Sequence, residues 1–131
     1  MKTRISTTAA PLPAHGYSQG VRVGTLVQTS GQLGIEPTTH AVIPEDVAAQ
    51  TTQALENVKA IVEAAGARFD DVITLRVYLT KRENFEAMNG AYRAFVSSNS
   101  ETGIMPTRTT TFVTLSKEEF LVEIEGTAIV A

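Results

Sequence analysis

An arginine at the mouth of one strand and two carboxylates along the next are the residues of this chain best suited to chemistry. Arg108 follows a turn-like loop, Ser97-Ser98-Asn99-Ser100-Glu101-Thr102-Gly103, and opens the β-branched run Pro106-Thr107-Arg108-Thr109-Thr110-Thr111. That is how a strand begins. In Leu121-Val122-Glu123-Ile124-Glu125 the two glutamates lie two residues apart, on one face of a strand, with Val122 and Ile124 on the other. A guanidinium grips a small carboxylate by two hydrogen bonds, and a neighbouring glutamate can handle water or a proton. The same spacing also suits a surface arginine and two solvated carboxylates, since Asp and Glu are mostly exposed. Spacing alone leaves both readings open.

The elements that must position these residues are legible in turn. His15-Gly16-Tyr17-Ser18-Gln19-Gly20 is a glycine-flanked polar turn, and residues 21–30 read as two strands, or one bent strand, around Gly24. Ser30-Gly31-Gln32 closes that pair. Pro44-Glu45-Asp46 announces a helix with acids in its first turn, where they match the positive end of the dipole. Its core stripe is Val47, Ala54, Leu55, Val58, Ile61, Val62 and Ala65, its outward face Gln50, Gln53, Glu56, Lys59 and Glu63, and Gly66 its stop.

Val72 to Thr80 alternates as a strand, with Ile73, Leu75, Val77 and Leu79 on one face. A second helix starts near Asn84 with the stripe Phe85, Met88, Tyr92 and Phe95, and Gly90 inside it suggests close packing. The order of elements predicts a single α+β domain over residues 1–131, with both helices on one side of a sheet. Arg76, Tyr78, Arg108, Thr110, Phe112, Glu123 and Glu125 are then expected on the other side, which is either wet or closed against other subunits.

Composition removes several function classes. Eleven Lys+Arg against 14 Asp+Glu give a net charge of -3, which argues against a dedicated nucleic-acid binder. The absence of Cys excludes disulfides, thiolate catalysis and Cys-ligated zinc. No apolar run approaches the roughly 20 residues that span a bilayer. Ser6-Thr7-Thr8 stands where a signal peptide would need an apolar segment, so a cytoplasmic protein is expected. His15 and His40 are separated and loop-borne, and no metal-ligand cluster is evident.

Seven stretches fall in the order and spacing of one known family: Gly16-Tyr17-Ser18-Gln19-Gly20, Thr29-Ser30-Gly31-Gln32, Val47-Ala48-Ala49-Gln50, Leu55 to Gly66, Asn89-Gly90-Ala91-Tyr92, Pro106-Thr107-Arg108 and Val122-Glu123-Ile124-Glu125. Together they resemble the RidA (YjgF-type, reactive intermediate deaminase) family along nearly the whole chain. The resemblance implies a chorismate-mutase-like fold and a homotrimer whose sheets form a central barrel, with a pocket in each subunit cleft. It implies hydrolysis of 2-imino and enamine acids to 2-keto acids and ammonia, with no cofactor or metal.

Carried over by position, Arg108 resembles the clamp on the substrate carboxylate and Glu123 the residue that orients water. Tyr17 resembles an aromatic hydroxyl of the pocket, Ser30 and Gly31 its polar rim, and Asn89 the helix residue supporting its wall. Thr110 stands where many members have Cys, and Met105 where Phe is common, so both bear on substrate size. The alternatives are a catabolic deaminase for a larger aminoacrylate or ring-cleavage product, and a ligand-binding or RNA-acting trimer without turnover.

Overall fold

The computed structural model describes residues 1–14 and 16–131; His15 lies outside the described residues. Strands β1 (Thr3–Ile5), β2 (Gly20–Val23), β3 (Leu26–Thr29), β4 (Gln32–Leu33), β5 (Val72–Leu79), β6 (Thr107–Phe112) and β7 (Val122–Ile129) join in one sheet. Its order is β1-β2-β3-β7-β5-β6, and β4 also pairs with β7. Helix α1 (Val47–Ala64) and helix α2 (Phe85–Ser98) pack against each other. All strand pairs are antiparallel except β5 and β6. Parallel neighbours require a crossover, and α2 supplies it between β5 and β6. The α+β class expected from the sequence is the one observed.

The core lies between the helices and one sheet face. Leu75, Val77, Leu79, Val122, Ile124 and Ala128 are fully buried there, with Leu55, Val58, Ile61 and Val62 from α1. Each large aliphatic side chain so buried contributes roughly 1.5–3 kcal/mol. Gly24, at φ 58, makes the tight β2–β3 turn, with Val23 opposite Leu26. At the end of α1, Gly66 takes φ 90, its N–H donates to Glu63 O and that of Ala67 donates to Val62 O. This is the double bond of a Schellman stop, as the sequence predicted.

Other expectations are corrected. The first turn of α1 holds no acid: Asp46 is the N-cap, accepting from Ala49 N at 3.0 Å, and Glu45 precedes the helix at φ 45. Gln50 is wholly buried rather than outward, because loops on either side cover that end of α1. Its amide donates to Ile43 O and Glu119 O and accepts from Leu121 N. Ile73 is 50% exposed, because a register shift between Val72 and Thr74 breaks the alternation there. A Cβ on Gly90 would meet nothing within 4 Å, so close packing does not explain that glycine.

Candidate active site

Register decides where Arg108 points. In the parallel β5–β6 pair Arg108 lies beside Leu75, Thr110 beside Val77 and Phe112 beside Leu79. These three therefore share the helix-side face with the buried residues of β5, not the open face expected from sequence. On β7, Glu123 lies beside Tyr78 and Glu125 beside Arg76, on the open face. Leu75 and Tyr78 are three positions apart, so Arg108 and Glu123 face opposite ways and lie two strands apart. No single small substrate can touch both within one copy of the chain.

On the helix side, α2 builds a cradle for Arg108. Asn89 Oδ1 accepts from its Nη1–H at 2.7 Å. The guanidinium carbon sits 4.7 Å from the Tyr92 ring centroid and 5.8 Å from that of Phe85. Phe85, Asn89 and Tyr92 are spaced i, i+4 and i+7, one stripe of a helix. From sequence Phe85 and Tyr92 fit a plain core stripe; the cue to their further role is that Asn89 shares that stripe. Before β6, Asp70 accepts from Ser100 Oγ at 2.9 Å and from Thr102 N at 3.1 Å. That pins the loop leading into Arg108's strand. Thr110 Oγ1 is closed to solvent and has no hydrogen-bond partner among the described residues.

The supports of Arg108 are neutral: the Asn89 amide and the rings of Tyr92 and Phe85. Arg76 pairs with Glu125 at 3.2 Å, Arg68 with Asp71 and Glu101 at 3.0 Å each, and Arg22 donates to the carbonyls of Gly24 and Ala65. Among the described residues Arg108 has no carboxylate within ion-pair range and spends one hydrogen bond on an amide. Four of the five N–H donors of its guanidinium remain for a ligand. Its positive charge is held in place without being neutralised.

The open face separates the two glutamates in the same way. Glu125 is committed: it accepts from Arg76 Nε at 3.2 Å, from Gln28 Nε2 at 3.3 Å and from the Tyr78 hydroxyl. The bond to Glu125 first, and burial second, raise the Tyr78 phenol above its usual pKa, so it stays a donor. The Glu123 carboxyl accepts no hydrogen bond among the described residues. Burial first, and then the charge on Glu125, push its carboxyl above the ordinary carboxylate range. A carboxyl in that condition keeps its proton to a higher pH than an ordinary carboxylate, which favours proton exchange with a bound water.

Gly31 lies against Glu123. A Cβ there would come within 2.8 Å of Glu123 Cδ, so only glycine lets that side chain sit as it does. Ser30 is half-buried, its Oγ donating to Ser18 O at 2.6 Å and its N–H to Gln19 O at 2.8 Å. These bonds tie the Gly31 corner to the turn that carries Tyr17, whose ring is 55% exposed. The Tyr17 hydroxyl accepts a long bond of 3.4 Å from Ala14 N. The sequence-predicted site residues therefore fall into two groups: Arg108, Asn89 and Thr110 with α2, and Glu123, Gly31, Ser30 and Tyr17 around the β3–β4 corner. Two surface grooves, of about 570 Å³ at the C-terminal ends of the helices and about 1230 Å³ between the start of α1 and residues 113–121, contain neither Arg108 nor Glu123.

A model of the Endoribonuclease L-PSP family matches residues 7–130. The chain is 40% identical over 129 residues to the 2-iminobutanoate/2-iminopropanoate deaminase of Salmonella typhimurium strain LT2, covering 98% of each. It is 39% identical over 129 residues to the Escherichia coli K12 protein of the same name, again covering 98% of each. The crystal structure of E. coli TdcF with bound serine superposes with a TM-score of 0.91 and 37% identity, covering 98% of this chain and 99% of that one. The chain belongs to the Endoribonuclease L-PSP family, the YjgF/RidA family that its motifs resemble.

Proposed function

We propose that the protein is a cytoplasmic 2-iminobutanoate/2-iminopropanoate deaminase that converts 2-imino and enamine acids to 2-keto acids and ammonia. The observation that carries this reading is the half-buried, un-neutralised Arg108, held by neutral groups with its remaining N–H donors unspent. Such a fork takes a carboxylate by two hydrogen bonds, which Lys could not do with the same fixity. Serine in E. coli TdcF is a small amino acid with such a carboxylate. The deaminases of S. typhimurium and E. coli are named for small 2-imino acids of this kind.

The reaction needs little beyond position. With the carboxylate on Arg108, C2 of the imine is presented to a water held by Glu123. Water oxygen bonds to C2 as Glu123 takes its proton and passes it to the imine nitrogen, giving the carbinolamine. Glu123 then moves the hydroxyl proton to that nitrogen, and the C2 carbonyl forms as the C–N bond breaks and ammonia leaves. General acid–base catalysis of this kind contributes typically ~10²–10⁴-fold.

Because Arg108 and Glu123 face opposite ways in one chain, the complete site forms between two copies. Arg108, Asn89 and Thr110 come from one copy, and Glu123, Gly31, Ser30 and Tyr17 from the next. These are different patches, so the contact is heterologous and closes as a ring, which fits a homotrimer with the open sheet faces turned inward as a barrel. Val23, Leu26 and Ile129, which are 47%, 46% and 39% exposed on that face, would be covered by this assembly. Thr110 and Met105 flank the clamp and bear on which side chains the site admits. RNA cleavage is weighed against by the net charge of -3, which opposes a phosphate-tracking groove.

The test is direct. 2-Iminobutanoate is generated in situ by an amino-acid oxidase or a threonine dehydratase and trapped with semicarbazide. The protein is expected to suppress semicarbazone formation and to raise the rate of 2-oxobutanoate release. No effect on this or on bulkier imino acids would overturn the reading.

A further inference from the structure

We propose that Tyr92 is a positioning residue for the carboxylate clamp, acting through its ring face and not through its hydroxyl. The proposal rests on Arg108 binding the substrate carboxylate, as read above. Arg108 stands on β6, the edge strand of the sheet, with one strand neighbour and a long flexible stem. A guanidinium in that position has many rotamers, and a bidentate grip requires one of them. Asn89 fixes a single nitrogen at 2.7 Å, which leaves the plane free to rotate about that bond.

The Tyr92 ring removes that freedom. Its centroid lies 4.7 Å from the guanidinium carbon, within the range of cation–π attraction, with Phe85 at 5.8 Å. The ring is rigidly placed, being 2% exposed and one turn along α2 from Asn89. The ring attracts the cation yet carries no counter-charge, so it orients Arg108 without weakening its hold on an anion.

The hydroxyl has no part in this. Tyr92 Oη is closed to solvent and makes no hydrogen bond among the described residues, so an incoming ligand cannot touch it. Burial raises the phenol above its usual pKa, with the nearby Arg108 opposing, so it stays neutral. Removing the oxygen should therefore cost nothing, whereas weakening the ring's negative face should loosen the clamp.

The test compares wild type with Tyr92→Phe, with fluorinated phenylalanines at position 92 that keep the ring's shape while withdrawing its electrons, and with Tyr92→Leu. Kd for 2-oxobutanoate is read by calorimetry, and KM and kcat for 2-iminobutanoate by the semicarbazide assay. Tyr92→Phe should match wild type. Progressive fluorination should raise Kd and KM together, by about three- to thirtyfold at the extreme, with kcat moving less. Tyr92→Leu should fall at the weak end of that series; if it fails to fold, the fluorinated series alone decides the question.

A flat series, with wild-type binding throughout, would overturn the positioning role while leaving the clamp intact. A loss of affinity in Tyr92→Phe as large as that in Tyr92→Leu would assign the effect to the hydroxyl and also overturn it. Wild type that neither binds 2-oxobutanoate nor turns over imine would instead sink the reading of Arg108 itself, and this proposal with it.

Discussion

Arg108→Ala is expected to lower kcat/KM for 2-iminobutanoate by about 10²–10⁴-fold, since it removes two charge-assisted hydrogen bonds of roughly 1.5–3 kcal/mol each. Asn89→Asp should do much of the same damage with the arginine still present. It places a carboxylate where an amide oxygen now accepts from Arg108 at 2.7 Å. The ion pair so formed spends the positive charge inside the protein, and the substrate must then compete with a tethered partner. Half-buried and already in hydrogen-bond geometry, this pair is expected to leave the fold as stable as wild type or slightly more so. Asn89→Ala keeps the clamp charged and removes only a support, so its loss should be the smaller. Steady-state kinetics with urea denaturation at one protein concentration tests this. Equal activities for Asn89→Asp and Asn89→Ala would mean that Arg108's free charge is not what the site uses.

Glu123→Gln is expected to lower kcat by about 10²–10⁴-fold, the usual worth of an acid–base group, while making the protein more stable at neutral pH. The sign follows from the raised pKa. Burial, and then the charge on Glu125, disfavour the carboxylate in the fold, so the native state holds its proton more tightly than the unfolded chain does. Stability tied to that proton is complete below the unfolded chain's pKa and is lost as pH rises through the folded one. At pH 7 the wild type bears this cost and the amide does not. The advantage of Glu123→Gln should therefore shrink as pH falls into the ordinary carboxylate range. Wild-type activity should fall on the acid side at a pH above that range, because the carboxylate is the form that accepts water's proton. Denaturant midpoints and kcat profiles between pH 4 and pH 8 measure both. A variant that is less stable than wild type at neutral pH would contradict the assignment of Glu123 as a disfavoured charge.

These expectations rest on features that the sequence revealed unevenly. α1 was legible because its apolar spacing and Gly66 agree, and β7 because Val122 and Ile124 alternate with Glu123 and Glu125. The face of Arg108 was not legible. Residues 107–111 are four threonines and one arginine, so no apolar alternation marks a side, and only the parallel pairing with β5 sets the register. Ile73 was misplaced because a bulge shifts the period without leaving a mark in the residues. Gln50 looked solvated because polar side chains usually are, and only the loops folded over α1 give its amide three backbone partners. Phe85 and Tyr92 fit a core stripe equally well with or without a cation beneath them. As for the site, its residues were identified from motif resemblance, but the separation of Arg108 from Glu123 needed the fold.

That separation carries the central claim, that each active site is shared by two copies. Arg108→Ala and Glu123→Gln, each inactive alone, are mixed in equal amounts, unfolded and refolded together. A site shared between neighbours is whole whenever its Arg108 comes from the Glu123→Gln chain and its Glu123 from the Arg108→Ala chain. Random assembly in a symmetric ring makes that about one site in four, so about a quarter of wild-type activity should return. If both residues served one chain's own pocket, every chain would remain defective, and no activity above that of the separate variants would contradict the shared site.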